Sequence, residues 1–429
     1  MLERVFHLQE NGTRPATEIL AGLTTFLTMS YIIVVNPQIL AAAGIDHGAA
    51  FTATCLAAAL GTLAMALLAN YPIALAPGMG LNAYFAFTVV LGMQIPWQVA
   101  LGAVFLSGLL FLAISVLHIR EWLINSIPLS LKLGIAAGIG LFLGLLGFQG
   151  MGLVVAKPAT MIGLGDLEKT TTLLSALGFL LMAGLSARKV PGAILIGIAV
   201  TTLLGVPLGL TKFDGFVALP PSLAPTFLQM DIAGAVKLGA VSVVFTFFLV
   251  DVLDNMGTLI ATTFRAGLMR EDGTVPRLRE VLLADSGGAM LGAVLGTSTT
   301  TSYIESAAGI QAGGRTGLAS VATALLFLAC LVFAPLAMAV PAFATAPAMV
   351  FVACLMVSAL RAVDFDDPCE SLPAAATALG TVFSFSIASG IGIGFITYVA
   401  VNVVAGRARS VSGAVWIIAF ASVVSFALE

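Results

Sequence analysis

The chain has 429 residues, of which 59% are hydrophobic and only 9% charged, with a mean hydropathy of +1.09. A soluble domain carries about 25% charged residues, so this composition excludes a soluble globular protein and indicates an integral membrane protein. A net charge of −3 without any basic cluster excludes a nucleic-acid partner. The four cysteines (Cys55, Cys330, Cys354 and Cys369) are scattered without CxxC spacing, so neither a disulfide framework nor a zinc site is suggested.

The N-terminal MLERVFHLQENGTRPATE is polar and lacks an apolar core, so no cleaved signal peptide is expected and the first span must target the membrane itself. Apolar runs of spanning length follow at 17–39, 49–69, 72–91, 97–118, 130–149, 171–187 and 190–208. A polar, proline-rich connection, Thr211–Asp231, separates them from a second series at 238–260, 280–296, 297–312, 316–340, 343–360, 370–404 and 412–428. The expected fold is therefore an all-α polytopic membrane protein of about 14 spans. Because seven is odd, the halves 1–210 and 211–429 must be oppositely oriented, which makes an inverted repeat. Segment 370–404 is too long for one simple pass.

Basic residues test the count. With the N-terminus inside, twelve fall on inner loops: Arg4, Arg14, Arg120, Lys132, Arg188, Lys189, Arg265, Arg270, Arg277, Arg279, Arg315 and Arg361. Six fall outside: Lys157, Lys169, Lys212, Lys237, Arg407 and Arg409. The bias supports a cytoplasmic N-terminus. Arg407 and Arg409 fit poorly unless 370–404 divides.

Spans 3 and 10 depart from regular helix. Pro72-Ile-Ala-Leu-Ala-Pro77 has prolines five residues apart, looks extended and cannot be regular helix, then Gly78-Met-Gly80 permits close approach and Asn82 lies in the first turn of a half-helix. The tenth, GTSTTTSYIESAAG at 296–309, puts six Ser or Thr residues before Glu305. β-Branched threonines and hydroxyls that compete for backbone hydrogen bonds predict an extended segment. Ser302-x-x-Glu305 then reads as a helix start, with Glu305 either closing a capping box or facing a ligand. Interrupted spans at matching positions of two halves point to a transporter binding site. The match between Thr25-Phe26 and Thr246-Phe247 in spans 1 and 8 is weaker support for the repeat.

Away from span ends, the intramembrane acids reduce to Asp251, Asp254, Asp285 and Glu305, with no Lys or Arg at comparable depth. Each costs about 2.5–3.5 kcal/mol to insert, so such acids are functional by default. Asp251 and Asp254 share a helical face; Asp285 is read as a cap or bundle contact. Two half-helix N-termini supply partial positive charge and free N–H groups, and the acids supply acceptors. That combination suits a small flat molecule with both donors and acceptors, such as a nucleobase, while an inorganic anion would want no carboxylates. A buried carboxylate is also a natural proton carrier. An intramembrane aspartyl hydrolase is disfavoured because no GxGD sequence occurs. Metal chemistry is disfavoured because His7, His47 and His118 lie at span ends or in loops.

PGMGLNAYF at 77–85, DVLDNMGT at 251–258 and GTSTTTSYIESAAGI at 296–310 resemble the azaguanine-type adenine/guanine/hypoxanthine permeases of the nucleobase–ascorbate transporter superfamily. The similarity runs from NGTRPATEILAGLTTFLTMSYIIVVNPQIL at 11–40 to the last span. It implies a seven-plus-seven inverted repeat with a core domain of spans 1–4 and 8–11 and a gate domain of spans 5–7 and 12–14. It further implies proton-coupled purine import, no organic cofactor or metal, a homodimer and the bacterial inner membrane. Carried over by motif, Asn82, Asp251 and Glu305 surround the purine, Gly80, Ser302 and Tyr303 line it, and Asp254 joins Asp251 and Glu305 in proton coupling. Ser-Ala-Ala-Gly after Glu305 favours the purine branch over the xanthine and uracil branches, which remain the alternative together with a small anion.

Overall fold

The computed structural model describes residues 2–116, 127–157, 160–213, 215–237, 241–265, 268 and 275–428. The chain is mostly helical: α1 (Leu2–Phe6), α2 (Pro15–Met29), α3 (Ile32–Ala42), α4 (His47–Leu68), strand β1 (Leu75–Pro77), α5 (Met79–Ala83) continuing as a π-helix over Tyr84–Gly92, and α6 (Trp97–Val116). Next come α7 (Leu129–Gly150), the hairpin β2 (Val154–Lys157) and β3 (Met161–Leu164), α8 (Thr170–Ala187), α9 (Ala193–Gly205) and the short α10 (Ile232–Lys237). The second half holds α11 (Val241–Arg265), α12 (Leu278–Leu295), β4 (Thr300–Ser302), α13 (Ser306–Gln311), α14 (Gly317–Cys330) and α15 (Ala334–Met338). It ends with α16 (Ala342–Val357), α17 (Pro368–Phe383), α18 (Ile387–Val404) and α19 (Gly413–Leu428).

Among the described residues, eight helices are long and apolar enough to cross a membrane, counting Pro15–Ala42 as one, and four more apolar helices are shorter. The first expected span is broken at Ser30–Tyr31 into α2 and α3. Segment 370–404, too long for one pass, is two helices parted at Ser384–Ser386, where Phe385 takes φ +52°.

Two compact units emerge, each drawn from both sequence halves: residues 1–116 with 173–348, and residues 117–172 with 349–429. In the smaller unit α17 and α18 lie antiparallel, since added methyls at Gly390 and Gly394 would strike Thr381 and Thr377. Arg407 consequently returns beside Asp367, Nη1 to Oδ2 at 2.6 Å, six residues beyond Arg361. This corrects the placement of Arg407 and Arg409, which belong at the same end as Arg361 and not opposite it. Splitting the long segment reverses the chain once more than a single pass would.

In the larger unit, α4 packs against α3, α12 and α14, and α2 against α13 and α14. Small residues make these approaches close: a Cβ on Gly317 would meet the Ala66 backbone, and one on Gly22 would lie 2.7 Å from Ala322 Cβ. Hydrophobic burial does not drive helices together in lipid, so such contacts and interhelical hydrogen bonds carry the packing.

Candidate functional site

The two irregular spans meet. β1 and β4 pair antiparallel, with Leu75 opposite Ser302, Ala76 opposite Thr301 and Pro77 opposite Thr300. The ladder continues past the strands: Tyr303 N–H donates to Ala74 O (2.9 Å) and Gly78 N–H to Thr299 O (2.9 Å). Pro77 has no N–H to offer, and pairing with a threonine-rich partner satisfies the remaining backbone groups that lipid could not. Gly78 matters for the approach, because a Cβ there would lie 2.9 Å from Thr301 Cγ2. Thr62 of α4 clasps the strand from one side, accepting from Leu75 N–H (2.9 Å) and donating to Leu75 O (3.0 Å). Ser306 of α13 holds the other end, its hydroxyl accepting from Ala74 N–H (3.0 Å). Each strand runs directly into a helix start, β1 into α5 and β4 into α13.

Most of the expected site residues collect at this crossing, and several of their polar groups hold the crossing itself. Asn82 is fully buried; its Oδ1 accepts from the Ser298 hydroxyl and its Nδ2 donates to Pro77 O at 3.4 Å. Tyr303 donates its hydroxyl to Pro77 O (2.5 Å). Ser302 is held by Asp285 of α12, whose Oδ1 accepts from both its N–H (3.0 Å) and its hydroxyl (2.9 Å). Asp285 is thus a bundle contact that fixes β4. Gly80 is buried in α5.

Glu305 does not close a capping box. It is itself the N-cap residue of α13, its side chain caps nothing, and its Oε1 accepts the Tyr31 hydroxyl at 2.9 Å. Ser302, the expected capping partner, is already engaged by Asp285. Glu305 is half-buried and follows Ile304, which is 44% exposed. Asp251 is fully buried on α11, and that helix packs against α5, β4, α13 and α6. Phe247, one turn earlier, meets Tyr84 edge-on with centroids 4.9 Å apart. Asp254 falls on α11, but its side chain lies outside the described residues.

Two residues escape sequence reasoning. Tyr31 sits in the α2–α3 break, 1% exposed, and reads in sequence as one more apolar aromatic. Glu18 reads as an acid in the first turn of a span facing water, yet it is fully buried. Its carboxylate accepts from Arg315 N–H (2.9 Å) and Thr316 N–H (3.2 Å), capping α14, while the Arg315 guanidinium closes α13 through Ile310 O and Gly314 O, both 2.7 Å. Both bonding patterns span about three hundred residues of chain, which no local pattern encodes. Among the described residues no group of three or more His, Cys, Asp or Glu could hold a metal.

The family model Xan_ur_permease, described as "Permease family", matches residues 16–399. The chain belongs to this permease family. It is a multi-pass membrane transporter and not an enzyme, and the azaguanine-type resemblance holds. It is 48% identical to the adenine permease AdeP of Escherichia coli, over 98% of this chain and 94% of that one. It is 45% identical to the guanine/hypoxanthine permease PbuG of Bacillus subtilis, covering 96% of each. Its fold is that of the transmembrane domain of a cyanobacterial bicarbonate transporter, BicA, with a TM-score of 0.68 at 16% identity over 87% of this chain and 97% of that one.

Proposed function

We propose that this permease is a proton-coupled symporter importing purine nucleobases (adenine, guanine and/or hypoxanthine) across the cytoplasmic membrane. The observation that carries the substrate class is the near-full-length kinship to adenine and guanine/hypoxanthine permeases. The geometry supports it chemically. Carboxylate acceptors at Glu305 and Asp251 suit ring N–H groups, and the starts of α5 and α13 suit ring acceptors. Asn82, Ser302 and Tyr303 then act by holding the strand crossing, and Gly80 by letting the base approach α5.

Coupling falls to carboxylates at membrane depth, Asp254, Asp251 and Glu305. Asp254 stands three residues from Asp251, about 4.5 Å along the helix axis. Two charges there in apolar surroundings cost more than one shared proton. The architecture we propose is a seven-plus-seven inverted repeat, spans 1–4 and 8–11 as core and 5–7 and 12–14 as gate. The N-terminus is cytoplasmic and the assembly a homodimer.

Radiolabelled adenine, guanine and hypoxanthine uptake, with and without a protonophore, tests the reading. Accumulation that the protonophore abolishes is expected. Uptake of none of the three would overturn the substrate class; accumulation indifferent to the protonophore would overturn the coupling. Asp254→Asn should bind purine yet fail to concentrate it, and accumulation by that variant would move coupling to Asp251 or Glu305.

A further inference from the structure

Four asparagines are 2% exposed or less among the described residues: Asn36, Asn82, Asn255 and Asn402. Three have visible work. Asn36 donates to the hydroxyls of Thr54 (2.7 Å) and Thr297 (2.9 Å), tying α3 to α4 and to the approach to β4. Asn82 is committed to Ser298 and Pro77, as described above. Asn402 donates to Tyr398 O (2.9 Å) within its own helix. Asn255 is fully buried, and neither its Oδ1 nor its Nδ2 has a hydrogen-bond partner among the described residues.

A buried amide left unpaired is costly in folding free energy, and native proteins carry few. The position is informative. Asn255 follows Asp251 by four residues, one turn on the same face of α11. Phe247, the turn before Asp251, packs on Tyr84 and Phe85 just beyond α5. α11 packs against α5, β4 and α13, so Asp251 and Asn255 stand one turn apart on a helix that touches both half-helices. Further along that face Thr262 donates to Thr258 O (2.7 Å), so its hydroxyl is satisfied within the helix. Among the described residues, Asn255 is the buried asparagine on α11 with no hydrogen-bond partner at either amide atom.

We propose that Asn255 reads the six-position edge of the transported purine, an inference that rests on the nucleobase reading above. Adenine presents an amino donor there, and guanine and hypoxanthine present an oxo acceptor. A carboxylate can only accept unless protonated, but an amide offers one acceptor and two donors and serves either edge by a half-turn of its side-chain torsion. The purine N–H groups go to the carboxylates. The variable edge goes to the one neutral group that can match both forms.

The experiment is equilibrium binding of adenine, hypoxanthine and unsubstituted purine, which has no exocyclic group at that position, to purified wild-type protein and Asn255→Leu. The expected result is at least a tenfold loss for adenine and for hypoxanthine, with a clearly smaller loss for unsubstituted purine, and no fall in thermal midpoint, since an unpaired polar group is removed. Equal losses for all three bases, unchanged affinities, or unchanged affinity with lost accumulation (a water or proton relay) would each overturn the proposal. So would a lowered midpoint in ligand-free protein, which would make the amide structural. Should the leucine variant not fold, Asn255→Ala, which offers neither donor nor acceptor, must lose the preference for adenine over unsubstituted purine, and retention of that preference overturns the proposal. Wild-type protein that binds none of the bases would end the functional reading instead, a distinguishable outcome.

Discussion

Tyr31 and Glu305 stand 274 residues apart in sequence and 2.9 Å apart in space. The hydroxyl fixes one carboxylate oxygen and therefore the direction in which the carboxyl faces. A hydrogen bond to a charged group contributes about 1.5–3 kcal/mol, part of which water can replace at a half-buried carboxylate. Tyr31→Phe should accordingly weaken purine binding by roughly three- to tenfold. Glu305→Gln, which exchanges an acceptor for a donor and removes the charge, should weaken it more than about tenfold. Equilibrium binding checks both, and a silent Glu305→Gln would remove Glu305 from the ligand. At this scale the sequence was informative where a charged residue stood alone in an apolar run: Asp251, Asp285 and Glu305 all announce themselves by their cost. It was uninformative for Tyr31, whose hydroxyl is an ordinary aromatic's until its partner is known.

At the scale of elements, the legible features were those with local causes. Paired prolines and a run of threonines cannot continue a helix, so both interruptions were readable without a structure. Their mutual pairing is not legible in the sequence, because the register of Leu75 on Ser302 is held by Asp285 and Thr62, which lie on other helices. Glu18 shows the opposite case. Its place after Pro15 gives a correct helix start, but the carboxylate caps a different helix, α14, nearly three hundred residues on. Removing it leaves two N–H groups at that buried helix start without their acceptor. Glu18→Ala should cost about 2–3 kcal/mol and lower the thermal midpoint of solubilised protein by a few degrees. Glu18→Gln should recover little, since it keeps one acceptor and turns a donor towards the second N–H. A midpoint unchanged in both variants would show that α14 needs no cap from α2.

For the whole molecule, the ion pair between Asp367 and Arg407 marks the course of the chain through α17 and α18. The Arg407 guanidinium, with help from the Cys369 N–H, holds the half-buried Asp367 carboxyl below the usual carboxylate range. A lowered folded value means the interaction is fully present above the ordinary carboxylate range and is lost only as pH falls through the lowered one. The pair is therefore formed at neutral pH, although a pair this accessible to water adds little to stability. The hairpin of α17 and α18 returns Arg407 and Arg409 to the end that carries Arg361, so in the proposed topology two basic residues expected outside move inside, and the expected division of twelve to six becomes fourteen to four. The proposed topology then carries a sharper positive-inside bias. Single cysteines at Lys189, Lys212 and Arg409, each exposed, in a background lacking the native four, test this at pH 7 with an impermeant thiol reagent. Cysteines at Lys189 and Arg409 should label from the cytoplasmic side and one at Lys212 from outside. Arg409 labelling together with Lys212 would mean that α17 and α18 count as a single pass, and the seven-plus-seven arrangement would need its last helices reassigned. Lys189 labelling together with Lys212 would place α9 short of the opposite face and end the inverted repeat.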